Sequence, residues 1–383
     1  MVEVIHGEGQ RVPIRVWSRA PDPEAVRQLR RLAAMPWVVE AVAAMPDLHV
    51  AAGVAVGTVF ATEHHAVPGA LGGDLGCGVA GQRLDVHAPS LDRRQIGRAL
   101  AALARVVPVG DAAQPEAGLA LPDDLAAGEL STGALRRARD RLGPRHLGTL
   151  GGGNHFVELD ADAAGALWLL VHTGSRGLGA AVRQHHQAAA EASDPGPLAA
   201  LDTDTDAGRA YLADMDWAQR FARANRDAIR ARALVVLADT LGAHPDGEVV
   251  DVHHNFLARE EHGGRPLLVH RKGAIAAPAG RLALIPGSMG TATYLVEGLG
   301  EASSFGSCSH GAGRVLSRTE ARARVSPRAL RAELRRVVID ERRLASLVEE
   351  APSAYRDIGE VLEDEADLVR PRLRLEPLGV LKG

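Results

Sequence analysis

Residues 147–174, with the sequence LGTLGGGNHFVELDADAAGALWLLVHTG, contain the pattern that decides the fold. A glycine-rich turn leads into the short run FVELD, and a second apolar run, ALWLLV, ends at another glycine turn. Short apolar runs bounded by glycine are typical of strands. A histidine lies at each junction, His155 before the first run and His172 after the second. The stretch therefore predicts two strands that present polar side chains at their ends, where rigid scaffolds hold functional groups.

Helices and strands alternate on both sides of this stretch. The apolar spacing predicts helices over 22–45, 91–106, 130–142, 180–193, 207–242, 327–348 and 353–365, the last followed by a short tail. Glycine-rich segments predict strands over 46–85 and near 248–254, 266–270 and 281–286, and a surface loop over 108–128. This alternation predicts a mixed α/β fold. No G-x-G-x-x-G turn follows a strand, so a Rossmann-type fold is not expected. Because the motifs described below are scattered from residue 74 to residue 382, we expect a single domain over 1–383.

Composition restricts the class of protein. The chain has 383 residues, of which 46% are hydrophobic, so a substantial core is expected. The formal net charge of -4 argues against a generally basic nucleic-acid-binding protein, and any RNA contact must be a local patch. The candidates for such a patch are Arg136, Arg137, Arg139, Arg141 and Arg145 in one run, and Arg322, Arg324, Arg328, Arg331, Arg335 and Arg336 in another. A solvated helix face explains such runs equally well.

The start of the chain lacks the basic head and apolar core of a signal peptide, and no apolar run approaches the roughly 20 residues that span a bilayer. Two cysteines, Cys77 and Cys308, are too few for a disulfide framework, so a cytoplasmic protein without membrane contact is expected. Lysine is rare, since only Lys272 and Lys382 occur among 44 cationic side chains. Both lysines and both cysteines fall inside or beside glycine- or histidine-rich motifs, which makes each a candidate for a chemical role.

Five residues of metal-ligand type lie in glycine- or asparagine-containing contexts: Asp74, Cys77, His155, His172 and His254. Since a thiolate can bridge two cations, one cysteine with one aspartate and three histidines suits a dinuclear metal centre. A single cysteine or histidine is more often structural, whereas the complete set favours a metal site. His253 is the alternative to His254, because adjacent strand residues point to opposite faces and only one of them can face the metals. Thiolate and imidazole favour zinc and manganese prefers oxygen, so the residues do not choose the metal.

Three glycine-rich segments, 271–280, 285–298 and 303–314, expose backbone N–H groups in turns that suit phosphate oxygens. Positive charge comes from Arg176, Lys272 and Arg314. None of the segments is a Walker loop, and each taken alone is equally explained as an ordinary turn. His310 lies in the third segment between a serine and a glycine. Its context is compatible with three roles: a nucleophile on phosphorus, a sixth metal ligand, or a general acid or base.

Nine motifs, taken in order, resemble those of the RtcB family of RNA ligases: GGDLGCG, LGTLGGGNHFVEL, VHTGSRGLG, HHNF, RKGA, IPGSMGTATYLVEG, SHGAGRVLSR, APSAYRDI and the terminal LKG. The resemblance runs from about residue 45 to the C-terminus. It implies the family's α/β architecture, a single domain with central β-sheets and peripheral helices. It also implies GTP-dependent joining of RNA 3′-phosphate or 2′,3′-cyclic phosphate ends to 5′-hydroxyl ends, in RNA repair or tRNA splicing.

The resemblance also implies roles for individual residues. Two manganese ions, with zinc or cobalt as the alternatives, would be held by Asp74, Cys77, His155, His172 and His254, with Cys77 as the bridge. His310 would be the nucleophile that carries guanylate. The remaining GTP-binding residues would be Asn154, Glu158, Asn255, Pro286, Gly287, Ser288, Met289, Gly311, Ala312, Gly313, Tyr355 and Lys382. Among them, Tyr355 would stack on the base and Lys382 would read its edge. Phosphates of GTP or RNA would be held by Arg176, Lys272 and Arg314.

The expected partners are GTP and RNA with 3′-phosphate or 2′,3′-cyclic phosphate and 5′-hydroxyl ends, with an archease-type protein as a candidate activator. A monomer is expected. The chain departs from the family after the PD-x-H motif, where a lysine is common but HVAAGVAVG has none. Two other functions compete with ligation. One is a dinuclear-metal phosphoester hydrolase that forms no covalent nucleotide, and the other is an RNA-binding homologue without catalysis.

Overall fold

The computed structural model describes residues 3–110, 113–114, 118–196 and 198–383. The strands within these residues are β1 Glu3–Ile5, β2 Ile14–Val16, β3 Val39–His49, β4 Val56–Thr62, β5 His65–Ala66, β6 Gly78–His87, β7 Phe156–Ala161, β8 Ala166–Thr173, β9 Leu201–Asp202, β10 Val250–His253, β11 Asn255–His262, β12 Arg265–Lys272, β13 Ala274–Ala276, β14 Leu282–Pro286, β15 Thr293–Gly298, β16 Ser307–Ser309 and β17 Val369–Lys382. The two strands predicted within 147–174 are β7 and β8, which confirms that prediction.

The helices of the described residues are α1 Pro23–Ala33, α2 Arg93–Val106, α3 Asp123–Ala126, α4 Gly133–His146, α5 Arg176–Glu191, α6 Asp206–Leu241, α7 Arg318–Arg324, α8 Pro327–Glu333, α9 Leu344–Leu347 and α10 Ile358–Asp364. The predicted helices over 91–106, 130–142, 180–193 and 207–242 are confirmed as α2, α4, α5 and α6. Within the described part of the chain, no helix has the length and apolar content needed to cross a membrane.

The strands form two large sheets. One has the order β1-β2-β3-β4-β12-β11 and the other β10-β6-β8-β7-β17-β15-β14, while β13 with β16 and β5 with β9 form two small ones. Among the described strands, β2 and β3 pair in parallel and all other neighbours pair antiparallel. A doubly wound parallel sheet is therefore excluded, and the predicted mixed α/β class is confirmed. That the chain forms one domain over 1–383 stays a prediction.

The helix predicted over 22–45 is correct only in its first half. Asp22 caps α1 by accepting from the amides of Glu24 and Ala25, and the helix ends at Ala33. The second half is strand β3, in which every residue from Ala41 to Leu48 is buried. A strand buried on both faces has a continuous apolar pattern, which does not differ from a helical one over so short a length. Pro36 also disfavours helical geometry in the residue before it.

The predictions for the C-terminal third are wrong in two places. The helix over 327–348 breaks after α8, because Val338 pairs with β17 instead: its amide donates to Leu378 O, and its carbonyl accepts from Val380 N. The predicted short tail is β17, which crosses the second sheet between β15 and β7. This strand was not predicted because its sequence contains two prolines, which are rare inside sheets. The sheet accommodates Pro371 and Pro377 at the two places where the register of β17 shifts.

Two smaller predictions also need correction. The helix predicted over 353–365 begins later, as α10, because Tyr355 has an extended backbone. The loop predicted over 108–128 contains the short helix α3, and its residues 111–112 and 115–117 lie outside the described residues.

Five neighbouring strands of the second sheet have ends that lie side by side, along the edge of the sheet that runs across the strands. Along the order β10-β6-β8-β7-β17, neighbouring strands run in opposite directions, so carboxyl ends and amino ends alternate at this edge. The register places His253 opposite Gly78, Gly78 opposite Thr173, and Phe156 opposite both His172 and Lys382. Residues that flank these ends are separated by up to several hundred positions in sequence but become neighbours in space. The functional site lies at this edge.

Candidate metal centre and nucleotide cavity

The predicted metal-ligand residues form two groups around one thiol. The ligand atoms of Cys77, His172 and His254 lie within 4.8 Å of one another, and so do those of Asp74, Cys77 and His155. The Cys77 Sγ lies 3.4 Å from Nε2 of His155 and 3.4 Å from Nε2 of His172. His155 Nε2 also approaches Asp74 Oδ2 to 3.0 Å. A thiol shared by two sets of ligand atoms has the geometry of a bridging ligand between two cations.

The protonation and burial of these residues fit a metal centre. Burial lowers the pKa values of His172 and His254 well below the ordinary range, so both imidazoles are neutral and offer a lone pair. Burial, together with the charge of Asp74, raises the pKa of the Cys77 thiol, so cation binding must displace a proton from sulfur. Nδ1 of His172 and Nδ1 of His254 are buried without a hydrogen-bond partner among the described residues. Unpartnered buried nitrogens are rare and indicate an absent ion or solvent molecule.

Neighbouring backbone orients the ligands. Nδ1 of His155 lies 2.8 Å from Leu150 O and donates to it, which leaves Nε2 for the metal side. Gly174 lets Asp74 approach closely, because a Cβ at position 174 would lie 2.3 Å from the Asp74 carboxylate. His253 points away and places Nδ1 2.9 Å from Gly76 O. His254, not His253, therefore belongs to the ligand groups, as strand alternation predicted.

A cavity of about 660 Å³ opens beside the ligand groups, a size typical of small-molecule sites. Its lining includes most of the predicted nucleotide-binding residues: Asn154, Glu158, Pro286, Gly287, Ser288, Met289, His310, Gly311, Ala312, Gly313, Arg314, Tyr355 and Lys382. The ligand residue His172 also lines the cavity. The structure thus joins the predicted metal site and the predicted nucleotide site into one space.

Three of the predicted residues lie outside this lining. Asn255 is behind the metal groups, where Nδ2 donates to Asp74 O and Oδ1 accepts from Gly273 N. Arg176 donates to Thr149 Oγ1 and Gly110 O. Lys272 is buried and its Nζ donates to Ala52 O at 2.7 Å. Their assignment to nucleotide or phosphate contacts stays a prediction.

His310 is held between the metal groups and the cavity. Its ring centroid lies 4.8 Å from that of His254, and its side chain reaches the cavity. Asp47 Oδ2 lies 2.6 Å from Nδ1 of His310 and also accepts from the backbone N of His310 at 3.1 Å. Because a carboxylate only accepts hydrogen bonds, Nδ1 of His310 donates to Asp47, and Nε2 is the ring nitrogen that this contact leaves available.

The far end of the cavity contains an ionic cluster around Glu350. This carboxylate accepts from the hydroxyl of Tyr355, lies 3.3 Å from Nη1 of Arg314 and lies 3.6 Å from Nζ of Lys382. Although burial opposes it, the charge of Lys382 and the Tyr355 hydroxyl keep the pKa of Glu350 below its ordinary value. The Arg314 guanidinium lies 4.9 Å from the Tyr355 ring centroid. An aromatic ring with fixed donors and acceptors suits the recognition of a planar base.

Glu158 and Asp160 are a pair of buried acids on β7. They lie two residues apart and so point to the same face of the strand. Burial, with the neighbouring Asp160 charge, raises the pKa of Glu158 well above its ordinary value, and burial raises the pKa of Asp160 to about 7. The pair therefore retains at least one proton near neutral pH. Glu158 lines the cavity. A bound ligand would therefore meet a neutral carboxyl or a carboxylate, depending on whether Glu158 or Asp160 keeps the proton.

Comparison with known proteins agrees with this site. A family profile described as "tRNA-splicing ligase RtcB" matches residues 28–133 and 123–383. The chain is 33% identical to the RNA-splicing ligase RtcB of Escherichia coli K12 in an alignment that covers 98% of each. The chain belongs to the RtcB family. It is also 35% identical to the RNA-splicing ligase RtcB of Mycobacterium tuberculosis H37Rv, over 93% of this chain and 100% of that protein. With the tRNA-splicing ligase RtcB of Pyrococcus horikoshii it shares 35% identity over 65% of this chain and 34% of that protein.

The RtcB match includes both parts of the site. The segment 28–133 contains Asp47, Asp74 and Cys77, and the segment 123–383 contains the three predicted ligand histidines, His310 and most of the cavity lining. The resemblance predicted from the nine motifs is confirmed.

Sequence reasoning missed several residues of this RtcB-family site. Asp47, Glu350 and Arg318 were not singled out, and His49, which lines the cavity, was not assigned a role. Asp47 could have been found, because it is the one charged residue in the buried run from Ala41 to Leu48. A lone acid within an apolar strand indicates a buried partner. Glu350 follows another acid in a helical stretch and carries no comparable local signal.

Proposed function

We propose that the chain is a GTP-dependent RNA ligase that joins a 3′-phosphate or 2′,3′-cyclic phosphate end to a 5′-hydroxyl end, in RNA repair or tRNA splicing. Membership of the RtcB family supports RNA ligation, since the relatives are named as splicing ligases. One observation carries the chemical detail. His310 is fixed through Nδ1 on the buried Asp47, with its ring between the metal-ligand groups and the cavity.

In the first step, Nε2 of His310 attacks the α-phosphorus of GTP. The Nε2–P bond forms as the bond from phosphorus to the β-phosphate oxygen breaks, and pyrophosphate leaves with that electron pair. The imidazole gains positive charge in this step. Asp47 compensates the charge through the hydrogen bond from Nδ1, which is an electrostatic stabilisation of the kind that dominates in buried sites.

A 2′,3′-cyclic phosphate end is first opened by water, whose oxygen bonds to phosphorus as the P–O2′ bond breaks, so that a 3′-phosphate and a 2′-hydroxyl result. In the second step, an oxygen of the RNA 3′-phosphate attacks the same phosphorus that His310 carries, and the N–P bond breaks so that His310 regains its lone pair. The product is RNA-3′-pp-5′-G. In the third step, the 5′-hydroxyl oxygen attacks the RNA 3′ phosphorus, GMP leaves with the P–O electron pair, and the hydroxyl proton passes to solvent. A 3′,5′-phosphodiester remains.

The side chains around His310 have complementary tasks in this scheme. Tyr355 stacks on the guanine base, and Lys382 and Glu158 face its edge. Two manganese ions, with zinc or cobalt as alternatives, would be held by Asp74, Cys77, His155, His172 and His254. When bound, such ions neutralise phosphate charge and stabilise the transition states of phosphoryl transfer.

Covalent labelling tests the proposal. The protein is incubated with GTP labelled at the α-phosphate and with manganese, then treated with acid or hydroxylamine. We expect an acid-labile, hydroxylamine-resistant label that mass spectrometry places on His310. His310→Ala abolishes the label, whereas His244→Ala, at an exposed histidine outside the cavity lining, retains it. Absence of label on the unmodified protein refutes the covalent mechanism, and release of phosphate from RNA under the same conditions indicates a hydrolase.

End joining tests the substrate. RNA with a 3′-phosphate and a 5′-hydroxyl is offered with manganese and either GTP or ATP. Sealing with GTP alone is the expected result. RNA that is bound but never sealed under any of these conditions indicates a homologue without catalysis.

A further inference from the structure

Two buried carboxylates hold consecutive backbone amides at the end of β16. The amide of Ser309 donates to Glu365 Oε2 at 2.8 Å, and the amide of His310 donates to Asp47 Oδ2 at 3.1 Å. Both acids are fully buried, with 0% exposure. Buried acids are costly and persist where they have a task. The Asp47 contact follows from the proposed mechanism, but the Glu365 contact does not.

We propose that Glu365 is a positioning residue for the reaction, which together with Asp47 clamps the consecutive backbone amides of Ser309 and His310 and so fixes the direction in which Nε2 of His310 points. This inference rests on the proposed role of His310 as the nucleophile. Glu365 belongs neither to the cavity lining nor to the metal-ligand groups, so this role is separate from those described above.

The clamp connects His310 to two different parts of the fold. Asp47 comes from β3 in the six-stranded sheet, whereas Glu365 caps the C-terminus of α10 immediately before β17. The amides of Leu368 and Val369 both donate to the Glu365 carbonyl, so the backbone of this residue is fixed. Gly313 completes the contact on the other side, because a Cβ there would lie 2.4 Å from Asp47 O. Rigid elements on two sides therefore hold the segment that ends at His310.

The charges around the clamp favour a neutral Glu365 beside the Asp47 carboxylate. Burial raises the pKa of Glu365 to about 8, with the Ser309 amide opposing and the charges of Asp47 and Asp367 adding to the rise. The other groups near it are the buried Cys308 of β16 and Arg271 of β12, whose guanidinium is already paired with Glu260. Oε1 of Glu365, Oδ1 of Asp47 and Oγ of Ser309 have no partner within the described residues. A protonated Glu365 supplies an O–H donor among these acceptors.

Two replacements of similar size separate this role from folding. Glu365→Gln keeps an oxygen acceptor for the Ser309 amide and resembles the neutral acid, so we expect guanylylation within about threefold of the unmodified rate. Glu365→Met fills the volume without an acceptor, and we expect the single-turnover rate to fall about 10- to 100-fold while the KM for GTP changes little. Glu301→Met is the matched control, since Glu301 also accepts a backbone amide, that of Ser303, but lies outside the cavity lining.

Nuclear magnetic resonance of the ¹⁵N-labelled imidazole provides a readout that does not need catalysis. The Nδ1–H proton of His310 is expected to be hydrogen-bonded and slow to exchange in the unmodified protein and in Glu365→Gln, but faster to exchange by about tenfold in Glu365→Met. The rate of the unmodified protein relative to Glu365→Gln should also fall above pH 8, where Glu365 ionises.

Two results overturn the clamp: Glu365→Met with the unmodified rate and an unchanged imidazole signal, or Glu365→Gln as impaired as Glu365→Met. Thermal unfolding of each variant shows whether a loss of rate accompanies a loss of fold. If the unmodified protein takes no label from GTP, the proposed function is wrong. The imidazole signal then still decides whether Glu365 positions His310.

Discussion

Replacing Asp47 by asparagine tests whether His310 acts through Nε2. Asp47 Oδ2 accepts both the backbone N–H and the Nδ1–H of His310, and the carboxyl is completely buried. Asparagine has nearly the same size but replaces one oxygen with an NH₂ group. If that group faces the ring, Nδ1 must accept and the ring proton moves to Nε2, the nitrogen that must attack phosphorus. Even if the amide oxygen faces the ring, the compensating negative charge is lost.

The expected loss follows from these two effects. A hydrogen bond to a charged group contributes about 1.5–3 kcal/mol, and each 1.36 kcal/mol in the activation free energy is about tenfold in rate. The bond alone therefore accounts for about a 10- to 100-fold decrease. A reversed tautomer costs more, since the corresponding aspartate-to-asparagine change in a serine protease triad lowers kcat about 10⁴-fold. We expect Asp47→Asn to lower the single-turnover rate of guanylylation by about 10²- to 10⁴-fold.

The assay follows transfer of label from GTP to the protein after rapid mixing, with GTP affinity and thermal unfolding measured separately. Asp214→Asn is a matched control, because Asp214 is also completely buried and lies 2.7 Å from Nε2 of His186, but outside the cavity lining. It should lose stability and keep the guanylylation rate. The reasoning is refuted if Asp47→Asn keeps a rate within threefold of the unmodified protein, or if both variants lose rate in proportion to their loss of stability.

Four further outcomes are expected. Cys77→Ser removes a ligand from both metal groups, so manganese affinity in equilibrium dialysis should fall at least about tenfold, whereas Cys308→Ser should keep it. Because burial raises the pKa of the Cys77 thiol, manganese binding should release protons and strengthen as the pH rises; calorimetry in buffers of different ionisation enthalpy measures the release, and a proton-neutral titration would contradict it. Lys382→Met should lower the affinity for GTP about tenfold or more and reduce the preference for GTP over ATP. Arg372→Met, on the same strand, should leave both unchanged. Burial raises the pKa of Asp160 to about 7. The contribution of this carboxyl to the free energy of unfolding is therefore fully present below about pH 4 and is lost as the pH rises through about 7. Asp160→Asn should remove roughly 2–3 kcal/mol of that loss between pH 5 and pH 8, measured by urea unfolding of metal-free protein, and equal pH dependences in both proteins would argue against a buried proton.

The candidate metal-ligand residues could be singled out because each differs from its surroundings in sequence. Cys77 is one of two cysteines, and His155 and His172 lie where a glycine turn meets an apolar run. Strand alternation allows only one of His253 and His254 to face the metals, and the structure groups His254 with Cys77 and His172; their role as ligands stays a prediction. These signals are local: the residue type is rare and the neighbouring glycines mark a strand end.

The clamp on His310 could not be predicted in this way, because its members are distant in sequence. Asp47 lies 263 residues before His310, and Glu365 lies 56 residues after Ser309. Nothing local distinguishes Glu365 from the exposed acids beside it. The same limit explains the missed strand β17: pairing with β7 and β15 overrides a pattern that two prolines interrupt. Long-range pairing decides both cases, and periodicity within one segment contains no information on it.

The charge of the cavity gives a reason for the proposed metal centre and the proposed nucleotide site to share one space. Four acids line the cavity, Asp22, Glu158, Glu320 and Glu350, against three cations, Arg314, Arg318 and Lys382. Burial favours the neutral form of Glu158, which leaves three charges of each sign. Such a lining has no excess positive charge for a triphosphate, and all three of its cations, Arg314, Arg318 and Lys382, are already paired with Glu350. In the proposed function, cations bound by the ligand groups around Cys77 would supply the positive charge that a nucleotide requires. Since binding at two coupled sites is reciprocal, cations and GTP should each increase the affinity of the protein for the other.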